Sequence, residues 1–313
     1  MNSKLLDRVA VIATVVIFCA ALVVLYREFS SVSPGEVVLR LAQLPASQIY
    51  AAIGLTAASY LLLTGYDFLA LRYVARRLRP RDVLFVSFTA FAFSNGIGLQ
   101  LLSGGSMRYR LYSGLGLAPV EIGEIVAFCT FTYALGVITV GGLVATFNSA
   151  GVAAVTRLPQ PLVLAAGIGL VTLSLGYVIV AAVWRKPVAL GRYRLRPPSL
   201  GLAIAQVVLA SVDAVLAGSV MYALMPAEFG LTFVSFLNVY ILAATASVLS
   251  LVPGGLGVFE AVVAMMTAPT QRAAELGAFL AYRMIYFIVP LALALLWLAV
   301  HELGRGSQRR KAR

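Results

Sequence analysis

Long apolar stretches, separated by short polar and basic segments, make up most of this chain. A helix needs roughly 20 residues to cross the apolar core of a bilayer. The stretches of about that length are 9–26, 46–70, 119–146, 159–184, 199–225 and 275–300. The pattern therefore predicts an all-α polytopic membrane protein with about six full transmembrane helices. We interpret 9–26 as a retained helix, because no small-residue cleavage site follows it.

Composition supports this class and excludes others. Hydrophobic residues make up 61% of the chain and charged residues 12%, and the mean hydropathy of +0.95 excludes a soluble domain. The net charge of +12 comes from basic clusters between apolar stretches, which is typical of topology signals and not of nucleic-acid binding. Cys19 and Cys129 lie inside apolar runs, so we expect no disulfide, metal or cofactor.

Loop charges predict the orientation in the membrane. Basic residues cluster in 72–81, 185–196 and 305–313, and such clusters remain on the cytoplasmic side. We therefore expect both termini in the cytoplasm. The flanking helices then require segment 82–112 to begin and end inside, and segment 232–268 to begin and end outside.

Each of these two segments is predicted to form a re-entrant helical hairpin. The alternative, two full crossings in each segment, satisfies the same topology. That alternative leaves only about 14 residues from Gly255 to Ala268 for the last crossing, which is short of a span. Hairpins therefore fit the lengths better.

The two segments also belong to an internal repeat. The sequence Phe-Val-Ser-Phe precedes a Gly-Gly pair in both of them, at 85–88 and at 233–236. Matching residues follow one order at nearly the same spacing: Asp67 and Asp213, Gly104-Gly105 and Gly254-Gly255, Arg110 and Glu260, Tyr133 and Arg283. The copies, about 46–146 and 199–300, enter from opposite faces under the predicted orientation, which makes an inverted-topology repeat.

The whole chain, 1–313, is thus expected to be a single integral membrane domain. Helix 9–26 is peripheral, helix 159–184 links the repeats, and a basic cytoplasmic tail covers 301–313. In inverted repeats, broken helices of the two halves meet near the membrane midplane and open in turn to either side.

The glycine-rich segments are the candidate working site. Glycine allows positive φ and close backbone approach, and helix ends there would point N–H groups into a cavity. Partial positive charge at such ends attracts an anion such as a lipid phosphate. The glycine-rich tips are predicted at Gly104, Gly105, Pro253, Gly254 and Gly255.

Ionisable residues follow both glycine-rich segments. Arg108 and Arg110 are expected either to pair with a phosphate or to act only as cytoplasmic positive charges. Glu260 lies in an apolar run, where an unpaired carboxylate costs roughly 2.5 to 3.5 kcal/mol. Arg283 is its expected partner, in a structural ion pair or in a pair that lines a transport path.

Secondary candidates are Asp67, Asp213, Tyr133 and Tyr282. The two aspartates occupy matching places in the repeats, and we expect them to bind helix ends or to bridge to arginines. The glycines of the second segment do not have Walker or Rossmann spacing. His301, the single histidine of the chain, lies beside the last helix and is a poor candidate for acid–base or metal chemistry. Because no catalytic constellation is recognisable in the sequence, we expect no enzyme.

Several segments resemble a known family. These segments are 94–98, 103–113, 126–129, 252–260 and 282–286. They are similar to the membrane region of lysylphosphatidylglycerol synthases/flippases, the N-terminal flippase part of the multiple peptide resistance factor, over about 40–300. The resemblance implies a lipid path at the glycines, Pro253, Arg108, Arg110, Glu260 and Arg283. Because the chain ends at Arg313, it resembles the flippase part without the soluble synthase domain of the bifunctional relatives.

The leading expectation is a bacterial inner-membrane transporter of phospholipid. Its partners would be lipids with an anionic or zwitterionic headgroup, including ones like aminoacylated phosphatidylglycerol. Glu260 is the residue expected to couple transport to protons. The alternatives are a scaffold for lipid or cell-envelope biosynthesis and a small-solute or ion transporter. A second copy of the chain and a lipid-synthesis enzyme are further candidate partners.

Overall fold

A computed structural model describes residues 44–97, 100–184, 188–190, 193–195, 197–225, 230, 232–249, 258–266 and 272–311. In these ranges the chain is helical apart from one short antiparallel pair of strands. The elements are α1 Ala46–Tyr73, α2 Pro80–Ile97, α3 Gln100–Ser113, α4 Pro119–Phe147, α5 Ser149–Thr156, α6 Gln160–Val183, β1 Val188–Leu190, β2 Tyr193–Leu195, α7 Leu200–Leu224, α8 Phe233–Leu249, α9 Val258–Met266, α10 Arg272–Tyr282, a π-helical segment Arg283–Ile288 and α11 Val289–Lys311.

Five stretches of helix in the described part are long and apolar enough to cross a membrane. They are α1, α4, α6, α7 and the continuous stretch Gly277–Leu303. This result confirms the all-α polytopic membrane class. The predicted helix 9–26 lies outside the described residues.

The last predicted helix differs from expectation in two ways. Its path is interrupted by the π-helical segment Arg283–Ile288, which the apolar pattern of 275–300 did not indicate. It also continues as α11 to Lys311, through most of the stretch that was predicted to be a tail. The apolar pattern marks only the part of a helix that can span the membrane, and it does not mark where the helix continues into polar sequence.

The two predicted hairpin segments each contain a pair of packed helices. In the first segment α2 packs along α3, and in the second α8 packs along α9. With 9 residues, α9 rises about 14 Å, well short of the roughly 30 Å core of a bilayer. None of these four helices is among the five that can span. In the described part of the chain these lengths are as expected of hairpins, while the residues on both sides of α9, 250–257 and 267–271, lie outside that part.

Matching helices of the two repeats lie antiparallel. Along α1, Gln48 bonds to the Met225 carbonyl oxygen, Ser59 bonds to Asp213, and Gly65 lies beside Leu209. Residue numbers thus rise along α1 while they fall along α7. Because α1 and α7 are the first helices of the two predicted copies, their antiparallel packing is as expected of inverted repeats.

The last helix of each half packs on the other half. The last helix of the first copy, α4, packs on α8 of the second, where Asn148 bonds to Ser235 at 3.2 Å. Reciprocally, α11 packs on α2, with the rings of Phe85 and Trp297 centred 5.0 Å apart. Each helical hairpin is therefore covered by a helix of the other repeat.

Candidate functional site

A buried ion pair joins the first hairpin to α1. The Arg108 guanidinium donates from Nε to Asp67 Oδ1 at 2.9 Å and from its terminal nitrogen to Asp67 Oδ2 at 2.8 Å. The Asp67 and Arg108 side chains are 0% and 4% exposed. The Tyr112 hydroxyl donates to Asp67 Oδ1 at 2.8 Å, and the guanidinium lies 4.5 Å from the centre of the Phe91 ring. This environment satisfies both charges inside the protein.

This geometry selects one of the roles predicted for these residues. Asp67 was expected either to bind a helix end or to bridge to an arginine, and it bridges to Arg108. Arg108 directs its guanidinium at Asp67 and is nearly inaccessible, so in this conformation it does not present a free charge to a phosphate.

The first glycine pair does not form a tip, in contrast to the prediction. Gly104 and Gly105 lie inside α3, and neither is among the described glycines with positive φ. A Cβ atom on Gly104 would overlap the Ser94 hydroxyl and lie 3.1 Å from the Ala90 carbonyl oxygen. Gly104 therefore serves the close approach of α3 to α2. The prediction was wrong because spacing alone does not show which turn of a hairpin holds the bend.

Arg110 makes a contact between the repeats near the end of α3. Its guanidinium donates to Glu302 Oε1 at 2.9 Å, and both side chains are partly exposed. Glu302 lies near the end of the apolar stretch Gly277–Leu303. The sequence offered no reason to match these two residues, because 192 positions separate them.

The predicted ion pair of the second repeat is present. Arg283 Nε donates to Glu260 Oε1 at 2.6 Å. The Glu260 side chain is 21% exposed and that of Arg283 is 14% exposed, so this pair is more accessible than Asp67–Arg108. Arg283 is the first residue of the π-helical segment, and such segments occur frequently at functional sites. The neighbouring Pro253, Gly254 and Gly255 lie outside the described residues.

A cluster of aromatic side chains lies beside the Glu260–Arg283 pair. The Tyr282 ring stacks on Phe259 and on Tyr286, with centroids 5.9 and 5.3 Å apart. Its hydroxyl lies 3.0 Å from that of Tyr240. Tyr282, a secondary candidate, is therefore part of a buried aromatic cluster that joins α8, α9 and the π-helical segment.

Asp213 has different partners from Asp67. Ser59 donates to Asp213 Oδ1 at 3.3 Å, and Tyr66 donates to Oδ2 at 2.9 Å. Ser59 also lies 3.0 Å from the Tyr286 hydroxyl. Tyr133 of α4, another secondary candidate, is a further electrostatic neighbour of Asp213. The Asp213 carboxylate is thus surrounded by hydroxyl groups. The repeat in the sequence indicated the position of Asp213 but not these partners.

Sequence reasoning missed the polar face of α1. Its buried residues include Thr56, Tyr60, Thr64 and Asp67, which recur at intervals of three or four residues, with Ser59 next to Tyr60. That spacing places them along one side of a helix. In a membrane helix, such a polar stripe indicates a face turned toward protein or a water-filled path.

The fold defines a class of protein: a polytopic α-helical membrane protein, here with ion pairs between its packed helices. The chain belongs to the same family as Inner membrane protein YbhN of Escherichia coli (strain K12), with 34% identity over 275 residues that cover 85% of this chain and 82% of YbhN. It is therefore a bacterial inner-membrane protein.

Two further similarities place the chain among its relatives. Uncharacterized protein slr0712 of Synechocystis sp. is 35% identical over 266 residues, covering 85% of this chain and 83% of that protein. A more distant relative is Phosphatidylglycerol lysyltransferase of Staphylococcus aureus, 22% identical over 99% of this chain and 36% of that enzyme. No family model matches the chain.

Proposed function

We propose that the protein carries phospholipid headgroups across the bacterial inner membrane. The Glu260–Arg283 pair carries this proposal, because it is ionic, lies in a membrane region and keeps part of its surface exposed. Ionisable groups inside membranes are costly and typically mark substrate or ion pathways. A purely structural pair would be expected to be buried as fully as Asp67–Arg108.

The inverted halves supply a mechanism for moving the headgroup. Antiparallel α1 and α7 pack along each other, with α2 beside α1 and α8 beside α7. Rocking of one half against the other would open a polar path first to one side and then to the other. The acyl chains would remain in the bilayer while the headgroup passes the charged pair.

The proposed substrate is an anionic or zwitterionic phospholipid. The guanidinium of Arg283 suits a phosphate, and the carboxylate of Glu260 suits an ammonium or aminoacyl group. The S. aureus relative is named for transferring lysine to phosphatidylglycerol, which supports lipids of the phosphatidylglycerol type as first candidates.

Lipid movement can be measured in proteoliposomes of phosphatidylethanolamine and phosphatidylglycerol that contain fluorescent NBD-phosphatidylglycerol. Dithionite bleaches the probe that reaches the outer leaflet. We expect wild-type protein to expose inner-leaflet probe, and Glu260→Gln and Arg283→Ala to slow this exposure about tenfold. Losing one charge-assisted hydrogen bond costs about 1.5 to 3 kcal/mol, which corresponds to at least that factor.

Glu121→Gln is the matched control. Glu121 pairs with Arg76 at 2.7 Å at the start of α4, and its hydrogen bond raises the pKa of the exposed Arg76 above the ordinary arginine value. The same chemical change at this peripheral pair should leave the rate unchanged. Equal bleaching in wild-type and protein-free vesicles would contradict a lipid carrier and favour the scaffold or solute-transport alternatives.

A further inference from the structure

Asp213 is a buried carboxylate in the middle of α7. The residue is 5% exposed, and both its oxygens accept hydrogen bonds from hydroxyl groups of α1. Among the described residues, the titratable side chains that interact electrostatically with it are tyrosines of α1, α4, α8 and the π-helical segment: Tyr60, Tyr66, Tyr133, Tyr240 and Tyr286. None of these neighbours brings a positive charge to the carboxylate.

The matching carboxylate of the other repeat has a fixed cation. Asp67 binds the Arg108 guanidinium through both oxygens. Counted from the first glycine of each Gly-Gly pair, the position of Arg108 corresponds to Val258 in the second copy. The second copy thus has a buried acid like the first but an apolar residue at the spacing where the first copy has its arginine.

A buried charge without a counter-ion is unstable in a membrane interior. A proton removes the charge without adding volume, whereas a metal ion would have to displace the hydroxyls that already lie against both oxygens. The Ser59 hydroxyl can change from donor to acceptor when the acid becomes protonated, since Tyr286 offers it a second partner at 3.0 Å.

From these contacts we propose that Asp213 binds and releases a proton inside the membrane region. The carboxylate takes a proton from water to become the carboxylic acid, and returns it to water on the opposite reaction. This proposal goes beyond lipid transport and moves the proton site away from Glu260. The Glu260 carboxylate has a cation beside it, since Arg283 donates to it at 2.6 Å, whereas the described partners of Asp213 are hydroxyl groups.

Through Ser59, protonation of Asp213 would affect the structure of a neighbouring segment. Ser59 touches both Asp213 and Tyr286, and Tyr286 lies in the π-helical segment that begins at Arg283. Protonation of Asp213 therefore changes the hydrogen bonds of the same segment that holds the accessible ion pair.

Infrared spectroscopy of the full-length protein in liposomes tests this proposal without any lipid-transport measurement. The chain is produced with ¹³C-labelled aspartate, which places the label at Asp7, Asp67, Asp82 and Asp213. Difference spectra are recorded for pH steps between about 4 and 9, a range that spans the ordinary and raised values of carboxyl groups. We expect a labelled carboxylic-acid band that grows as the pH falls, and its loss in Asp213→Asn.

Two variants make the assignment specific. Asp82→Asn, at a half-buried position in the first turn of α2, should retain the band. Tyr66→Phe should shift the frequency of the band, because the Tyr66 hydroxyl contacts Asp213 Oδ2 directly. If Asp213→Asn does not fold, the frequency shift in Tyr66→Phe assigns the band to Asp213. A wild-type protein without the band, a band that survives in folded Asp213→Asn, or a band unmoved by Tyr66→Phe would overturn the proposal.

Discussion

At the scale of single residues, the two buried acids of the repeats show that equivalent positions have acquired different chemistry. Asp67 belongs to a closed set of contacts with Arg108 and Tyr112. Asp213 is surrounded by hydroxyl groups in the described part of the chain. The first arrangement holds a hairpin in place, and the second leaves a charge that a proton can neutralise.

Asp67→Asn tests the structural part of this contrast. We expect a loss of roughly 3 kcal/mol or more in folding stability, because Arg108 would keep its charge in a site without a counter-ion. Thermal unfolding of the protein in detergent measures the effect. Asp82→Asn, which removes a carboxylate 3.9 Å from Arg81 at the surface, should leave the melting temperature nearly unchanged. Equal melting of both variants would contradict the assigned role of the buried pair.

At the scale of helices, close packing across the repeats depends on a glycine in α4. A Cβ atom on Gly136 would lie 2.5 Å from the Ala210 carbonyl oxygen and 2.8 Å from the Ala210 Cβ of α7. Backbone atoms cannot move aside as a flexible side chain can. Small residues allow this kind of close approach between membrane helices, where packing replaces the hydrophobic effect as a driving force.

Gly136→Ala should therefore force α4 and α7 apart. The cost of overpacking is about 1 to 3 kcal/mol, and we expect a lower melting temperature and faster proteolysis. Gly123→Ala in the same helix is the control, because a Cβ atom there meets nothing within 4 Å. Its expected effect is neutral or slightly stabilising, since alanine favours helix over glycine. A Gly136→Ala variant as stable as Gly123→Ala would contradict the close contact.

At the scale of the whole molecule, the inverted halves require a definite orientation of the loops. The loop after α1 is basic and is predicted to be cytoplasmic, whereas the loop between α5 and α6 is predicted to face the opposite side. Arg77 and Leu158 are exposed residues in these two loops, so each can report the side on which its loop lies.

Labelling with a membrane-impermeant maleimide checks this orientation. In a chain with Cys19 and Cys129 replaced by alanine, we expect Leu158→Cys to react in spheroplasts and Arg77→Cys to react only after the membrane is opened. Reaction of both cysteines in opened membranes is the control for access. The reverse pattern would invert the proposed topology.

The sequence predicted the parts of this structure that depend on length and composition. Apolar length placed α7 within one residue of its observed ends, and the cost of isolated charge predicted the contact between Glu260 and Arg283. The sequence did not predict helix register or side-chain packing. Whether Gly104 lies at a bend or within a helix, and which hydroxyls reach Asp213, depends on how helices distant in sequence meet.

The π-helical segment has one geometric consequence for everything that follows it. A π-helix places its hydrogen bonds one residue further along than an α-helix does, so the stretch contains a surplus residue relative to regular winding. Each residue turns an α-helix by about 100°. Deleting one residue from 283–288 should therefore return the stretch to regular α-helical winding and leave the rotational register of α11 unchanged, so that Trp297 stays against Phe85 and Glu302 against Arg110. The widened turn lets the chain hold one more residue beside Arg283 without disturbing either interface.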